Sequence, residues 1–242
     1  LQLAVQGKLV PQDPNDEPAE EFRSANGKQL PEIADKELTF DLPSSWRWIR
    51  LGSAAEFING DRGKNYPNKN EYVPEGLPFI NTGHIEPDGS LCQQTMHHIT
   101  REKFDTLRGG KVQRGDLVYC LRGATLGKTA IVDCEEGAIA SSLVIIRLNE
   151  SLDRRFTYFF LQSPFGRELI RRFDNGSAQP NLSSKSVTMY VTPIPPLSEQ
   201  KRIVSQVTHL LSQVTRLEST LTRRESTRTQ LLTAAIHTIL QR

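Results

Sequence analysis

Ile194-Pro195-Pro196-Leu197-Ser198-Glu199-Gln200-Lys201-Arg202-Ile203 marks the point where this chain changes from short alternating runs to one long helical period. Pro195 and Pro196 bias the backbone towards an extended conformation. Ser198 is placed to act as N-cap, and Glu199 and Gln200 bring a carboxylate and an amide into the first turn, where backbone N–H groups lack intrahelical partners. Beyond it Ile203, Val207, Leu210, Val214, Leu217 and Leu221 recur in alternating steps of four and three. That spacing is an a/d seam, and it asks for a partner helix. The seam breaks at Arg224 and Arg228, then resumes with Leu231, Leu232, Ala235, Ile236 and Ile239. A continuous helix from Ser198 to Leu240 would run roughly 60–65 Å at 1.5 Å per residue. A rod of that length beside a compact domain reads as a spacer or assembly arm rather than an active site.

Upstream, Leu42-Pro43-Ser44-Ser45-Trp46-Arg47-Trp48-Ile49-Arg50-Leu51 alternates after its proline, which predicts a strand anchored on Trp46 and on Trp48 or Ile49. Further short strands are expected at 78–81, 116–121, 128–133 and 139–148, separated by glycine-rich turns. A short helix is expected at 101–107. A longer one is expected at 153–173, with Phe156, Phe159, Phe160, Leu169 and Ile170 on its apolar positions. The fold class is therefore α+β: a strand-rich mixed domain over 41–196, followed by a coiled-coil-forming helix over 197–242. Residues 10–40, rich in proline and acidic side chains, read as an exposed polar linker. Residues 1–9 read as a helix tail stopped at Gly7. The first residue is Leu, and no helix start precedes that tail, so the chain is expected to be an excerpt from something longer.

The 242 residues suffice for one substantial core and an appendage. Net charge is +2, but residues 11–41 hold nine acidic side chains against Arg23, Lys28 and Lys36, a local balance of −6 that leaves +8 for the rest. A basic body with an acidic leader is compatible with nucleic acid, and equally with ordinary surface charge. Cys92, Cys120 and Cys134 are odd in number and lack CxxC spacing, which indicates neither a disulfide framework nor a zinc cage. Cys120, inside an apolar run, is expected to be a buried free thiol. Cys92 with His97 and His98 has no fourth metal ligand at a characteristic spacing. No apolar run approaches membrane-spanning length and the N-terminus lacks the order of a signal peptide, so a cytoplasmic location is expected.

Gly123-Ala124-Thr125-Leu126-Gly127-Lys128-Thr129 invites a P-loop reading, but three residues separate its glycines where the phosphate cradle needs four. It is better read as a turn presenting Arg122, Thr125 and Lys128. Asp13-Pro14-Asn15-Asp16 shares two residues with an amino-methyltransferase motif, without a glycine-rich cofactor loop elsewhere. No paired carboxylates, nucleophile elbow or metalloprotease motif supports catalysis. Four loops instead mix Gly with a basic side chain (Arg, Lys or, at Asn81 to His84, His) and with Asn, Gln, Ser or Thr: Asn59 to Pro67, Asn81 to His84, Arg122 to Thr129, and Asn175 to Lys185. Such residues also mark turns for conformational reasons. Four of them beside an assembly helix favour DNA. The candidate DNA-binding set is Arg62, Lys64, Asn65, Tyr66, Asn81, Thr82, His84, Arg122, Thr125, Lys128, Ser177, Gln179 and Asn181, expected on one concave side. Lys64 and Lys128 suit phosphates as point charges. Arg62, Arg122, Asn65 and Gln179 suit base edges as planar forks.

At these residues the chain resembles the specificity (S, HsdS-type) subunits of Type I restriction–modification enzymes. The resemblance rests on Ala4 to Ala19 (AVQGKLVPQDPNDEPA), Leu42 to Trp46, Gly115 to Val118, Gly127 to Ala130 and Pro195 to Ile203. It implies one target recognition domain for half of a bipartite double-stranded DNA site, and helices that pack as an antiparallel coiled coil. It implies a non-catalytic chain that binds no cofactor itself. S-adenosylmethionine, ATP and Mg would belong to the modification (methyltransferase) and restriction (endonuclease and translocase) subunits. A second copy or a missing half would supply the pairing helix. Two alternatives stand beside this reading: a specificity module whose partner fuses methyltransferase and nuclease, and a coiled-coil scaffold that binds protein.

Overall fold

The computed structural model describes residues 1–19, 30–173 and 181–240, with backbone alone at 232 and 234–240. It divides into two compact units, Leu1–Ile203 and Val204–Arg242. The first half of the chain supplies α1 (Gln2–Val5), β1 (Arg47–Arg50), β2 (Ala55–Asn59), β3 (Tyr72–Val73), β4 (Leu77–Ile80), β5 (His97–Ile99), α2 (Arg101–Thr106), β6 (Lys111–Gln113) and β7 (Leu117–Cys120). The second half supplies β8 (Thr129–Ile131), β9 (Glu136–Ile139), β10 (Leu143–Leu148), α3 (Arg154–Gln162), α4 (Pro164–Phe173), α5 (Ser184–Thr188), β11 (Val191–Ile194) and α6 (Leu197–Leu240). The class is α+β with one long C-terminal helix, as the sequence predicts.

Two sheets form the body. One has the order β2-β10-β7-β8 and is antiparallel throughout; the other has the order β3-β5-β4-β9-β6, with β4 and β9 parallel. Side chains alternate across a strand. Val118 and Cys120 of β7 and Leu143 and Ile145 of β10 therefore share one face, where they cluster with Ile80 of β4 and Ile139 of β9. Leu117, Tyr119, Val144 and Ile146 occupy the opposite face and are also buried. Burial on both faces explains why these strands read as continuous apolar runs. The far face of the second sheet carries Phe79 and Ala138, which meet Ile99, Phe104 and Leu107. Cys120 is a buried free thiol.

Two expected elements are divided. The run 139–148 is not one strand: β9 ends at Ile139 in the five-stranded sheet, a turn closed by the Leu143 N–H on Ala140 O (3.0 Å) follows, and β10 begins in the other sheet. The expected helix at 153–173 is two helices, because Ser163 precedes a proline and takes extended angles (φ −67°, ψ 158°). Asp153 caps α3 by accepting from the backbone N–H groups of Arg155 and Phe156.

The start of α6 also differs from expectation. The helix begins at Leu197, so Ser198 lies inside the first turn, and its hydroxyl bonds Asp16 instead of capping. β1 and β11 pair from Arg47↔Ile194 to Arg50↔Val191, which brings Trp46 beside Glu199. Glu199 is fully buried; its carboxylate accepts from Trp46 Nε1 (2.8 Å) and Gln12 Nε2 (2.6 Å), and burial holds its pKa above the usual carboxylate range. Gln200 accepts from the Asp153 N–H at 2.7 Å and donates to the carbonyls of Ser151 and Pro195, both at 3.0 Å. Arg202 forks onto Asp16 (2.6 and 3.0 Å), and that bond holds the Asp16 carboxyl below its ordinary value. Residues 10–18 are mostly exposed yet tethered here, and further on Glu37 is gripped by both terminal nitrogens of Arg50 at 2.7 Å. Gln12 and Asp16 of the polar leader are thus hydrogen-bonded to the first turns of the long helix.

Within α6, Ile203 and Val207 are buried, whereas Leu210, Val214, Leu217, Leu221 and Leu231 are exposed, Leu217 by 63 %. Arg224 and Arg228 are exposed within a helix that runs through them unbroken.

Candidate nucleic-acid interface

Backbone contact that side chains would forbid builds one cleft. A Cβ at Gly60 would lie 2.6 Å from Ala140 O, and one at Gly110 would lie 2.7 Å from the Gly60 Cα, in a backbone whose φ of +71° already favours glycine. The loop after β2 therefore lies directly on the loop between α2 and β6. Asp61 fastens the two, and Arg122 and Asn181, which also line the cleft, pair with each other through a β-bridge. The resulting cleft of about 540 Å³ is lined by Arg62, Arg108, Arg122, Asn181, Ser183 and Ser184.

Three sequence-nominated residues, Arg62, Arg122 and Asn181, thus meet from positions far apart in the chain. Arg62 and Arg122 are exposed, and Arg62 Nη2 reaches Ser141 O at 3.4 Å. Lys64 is exposed on the neighbouring turn. Asn65 Nδ2 donates to Thr106 O at 2.9 Å, and Tyr66 packs edge-on against Phe79 with centroids 5.7 Å apart. These two hold the loop down on its sheet. Ser177 and Gln179 lie outside the described residues.

Asn81, Thr82 and His84 do not line the cleft. They form a 3₁₀ turn in which Asn81 Oδ1 accepts from the Gly83 N–H (2.8 Å) and His84 Nδ1 from the Asn81 N–H (3.2 Å). His84 is 3 % exposed, edge-on to His97, and burial pushes its imidazole below the usual pKa, with His97 adding to the shift. A neutral buried imidazole is a weak phosphate ligand, and nothing in the local sequence marks His84 as buried. Thr125 Oγ1 lies 3.3 Å from Cys120 Sγ, and Lys128 Nζ donates to Ile85 O at 3.3 Å. Lys128 therefore has an internal hydrogen-bond partner besides any phosphate.

Arg108 escaped the sequence search because it falls at the end of an expected helix. The signal was present: Leu107-Arg108-Gly109-Gly110 combines glycine with arginine, as do the loops that carry Arg62 and Arg122. Among the described residues, no group of three or more His, Cys, Asp or Glu could hold a metal ion. No helix among them is long and apolar enough to cross a membrane.

Known proteins match this architecture. The family model described as Type I restriction modification DNA specificity domain matches residues 43–224. The chain is 32 % identical to the Type I restriction enzyme EcoAI specificity subunit of Escherichia coli over 234 residues, covering 86 % of this chain and 38 % of that protein. Among solved structures it is similar to the HsdS subunit from Thermoanaerobacter tengcongensis (26 % identity, TM-score 0.57, 74 % of this chain and 40 % of that one). It is also similar to a chain from a study of complex assembly and conformational transition in the type I R-M system (25 % identity, TM-score 0.61, 79 % and 45 %). This sequence spans less than half the length of these proteins. With its model matched across both the sheets and the start of the long helix, the chain belongs to the Type I restriction modification DNA specificity domain family.

Proposed function

We propose that this chain is a non-catalytic reader of double-stranded DNA sequence, directing methylation and cleavage by modification and restriction subunits in the cytoplasm. The observation that carries this reading is the cleft itself: Arg62, Arg108, Arg122 and Asn181 arrive from distant loops onto one surface. Planar guanidinium and amide groups match guanine and adenine edges in the major groove. The cofactors S-adenosylmethionine, ATP and Mg belong to the partner subunits in this reading. Lys64 supplies a phosphate contact at the rim, with Asn65 and Tyr66 fixing the loop that presents it. Selection from a randomised duplex pool, followed by titration across salt, tests the reading. An enriched motif with affinity falling steeply as salt rises is expected; enrichment of no sequence would defeat it.

The exposed stretch of α6 is the second half of the proposal. Leu210, Val214, Leu217 and Leu221 repeat at coiled-coil spacing and stand in solvent, so they fit a helix from a second copy or from a longer natural chain. This rod sets the separation of two half-sites. Replacing both Leu210 and Leu217 with Asp should abolish association, measured by light scattering, and leave melting of the first unit in place. Association that survives the double change would remove the seam from the interface.

A further inference from the structure

Among the described residues that line the cleft, Asp61 is the one carboxylate, and its position is informative. Asp61 Oδ1 accepts from the backbone N–H of Arg62 at 2.6 Å, and Oδ2 accepts from the backbone N–H of Arg108 at 2.9 Å, across 47 residues of sequence. A negative charge beside phosphates opposes DNA binding, so a carboxylate here needs a compensating role. Both of its bonds go to the amides of arginines that line the cleft, so a single rigid group holds the Cα atoms of two guanidinium-bearing residues. The surroundings remove slack. Gly110 lies against the Gly60 Cα, and Leu107, just before Arg108, is buried among Phe79, Ile99 and Phe104. Arg108 itself is exposed.

From this geometry we infer that Asp61 is a positioning residue that sets Arg62 and Arg108 at a fixed spacing, and that Arg108 reads a base. This deepens the proposed DNA reading and rests on it. A fixed spacing matters because a guanidinium fork discriminates a guanine edge only when both its bonds align. Two forks held across one carboxylate report on neighbouring base pairs as a unit. Arg62 and Arg108 then read adjacent positions of the same half-site, and loss of the clamp blurs both.

The test uses the full chain and a randomised duplex pool, comparing the unaltered protein with Asp61→Asn, Arg108→Ala and Arg108→Lys. Thermal melting of each variant reports on folding, and the exposed Arg108 variants keep the question answerable if Asp61→Asn is unstable. Asp61→Asn and Arg108→Ala should lose base preference at overlapping positions and bind the enriched site roughly 5- to 150-fold more weakly. Asp61→Asn should do so although it removes a negative charge. Arg108→Lys should match Arg108→Ala in preference, since an ammonium has no fork. Uniformly tighter binding by Asp61→Asn with preference intact would make Asp61 a mere repulsive charge and overturn the clamp. Retained preference in Arg108→Lys or Arg108→Ala would overturn base reading by Arg108. If the unaltered chain enriches no sequence, the DNA reading itself fails and this inference falls with it.

Discussion

Replacing Glu199 with Ala tests the network that joins the leader, the first strand and the long helix. Glu199 is fully buried and accepts two hydrogen bonds, from Trp46 Nε1 and Gln12 Nε2. Gln12 is exposed and can return to water. Trp46 is 5 % exposed and cannot, so its indole N–H is left buried without an acceptor. A hydrogen bond to a charged group contributes about 1.5–3 kcal/mol, and an orphaned buried donor costs about 1–3 kcal/mol. Relief of the buried carboxylate, whose strain shows in its raised pKa, offsets part of this. A net loss of about 2–4 kcal/mol is expected on these magnitudes. For a unit of this size that lowers Tm by roughly 4–16 °C. The assay is thermal and urea unfolding at neutral pH, run as a double-mutant cycle with Trp46→Phe. Additivity of the two changes to within about 0.5 kcal/mol would show that the bond does not couple these residues, refuting the reasoning.

Glu199→Gln should reveal a pH dependence. The folded-state pKa of Glu199 is raised, so the contribution of this group is fully present below the unfolded value of about 4.5 and is lost as pH rises through the folded value. The unaltered protein should therefore gain stability relative to Glu199→Gln on acidification from neutrality, read from Tm at a series of pH values. Asp16 runs the opposite way. Its pKa is lowered by Arg202, so its contribution is present above 3.8 and lost as pH falls through the folded value, and Asp16→Asn should narrow the stability gap in acid. Arg147→Met leaves Asp116, 2 % exposed and forked by Arg147 at 2.8 and 3.0 Å, without its cation; urea unfolding should register a loss of about 3–5 kcal/mol. Gly110→Ala forces a Cβ to within 2.7 Å of the Gly60 Cα at positive φ, and should cost at least about 1–3 kcal/mol while weakening DNA preference.

Regular elements announce themselves by period, and here the sequence was legible. Leu117 to Cys120 and the helix from Leu197 follow from apolar runs and a 3.5-residue repeat, because burial and register act on neighbours in sequence. The division at Ser163-Pro164 was also written there, since the residue before proline leaves the helical region. The turn at residues 140–142 was not. It contains no Gly or Pro, and its one polar signal, Ser141-Ser142, lies between two apolar stretches that are buried in different sheets. The site was half legible. Loops that mix Gly with basic and amide side chains named Arg62, Arg122 and Asn181, but Asp61 with Arg108, and Glu199 with Gln12, are pairings set by tertiary contact across 47 and 187 residues. No local pattern encodes such distances. Composition likewise marked 10–18 as polar but could not show that Gln12 and Asp16 anchor it to α6.

In the proposed function, the arginine cleft chooses the DNA sequence on which the partner subunits act. Mapping methylated sites in cells that carry the complete system tests it most directly, comparing the natural chain with one in which Arg62, Arg108 and Arg122 are all Ala. One methylated motif is expected with the natural chain, and loss or degeneracy of the base positions in one half of that motif with the variant. The same motif, methylated to the same extent by both, would contradict it.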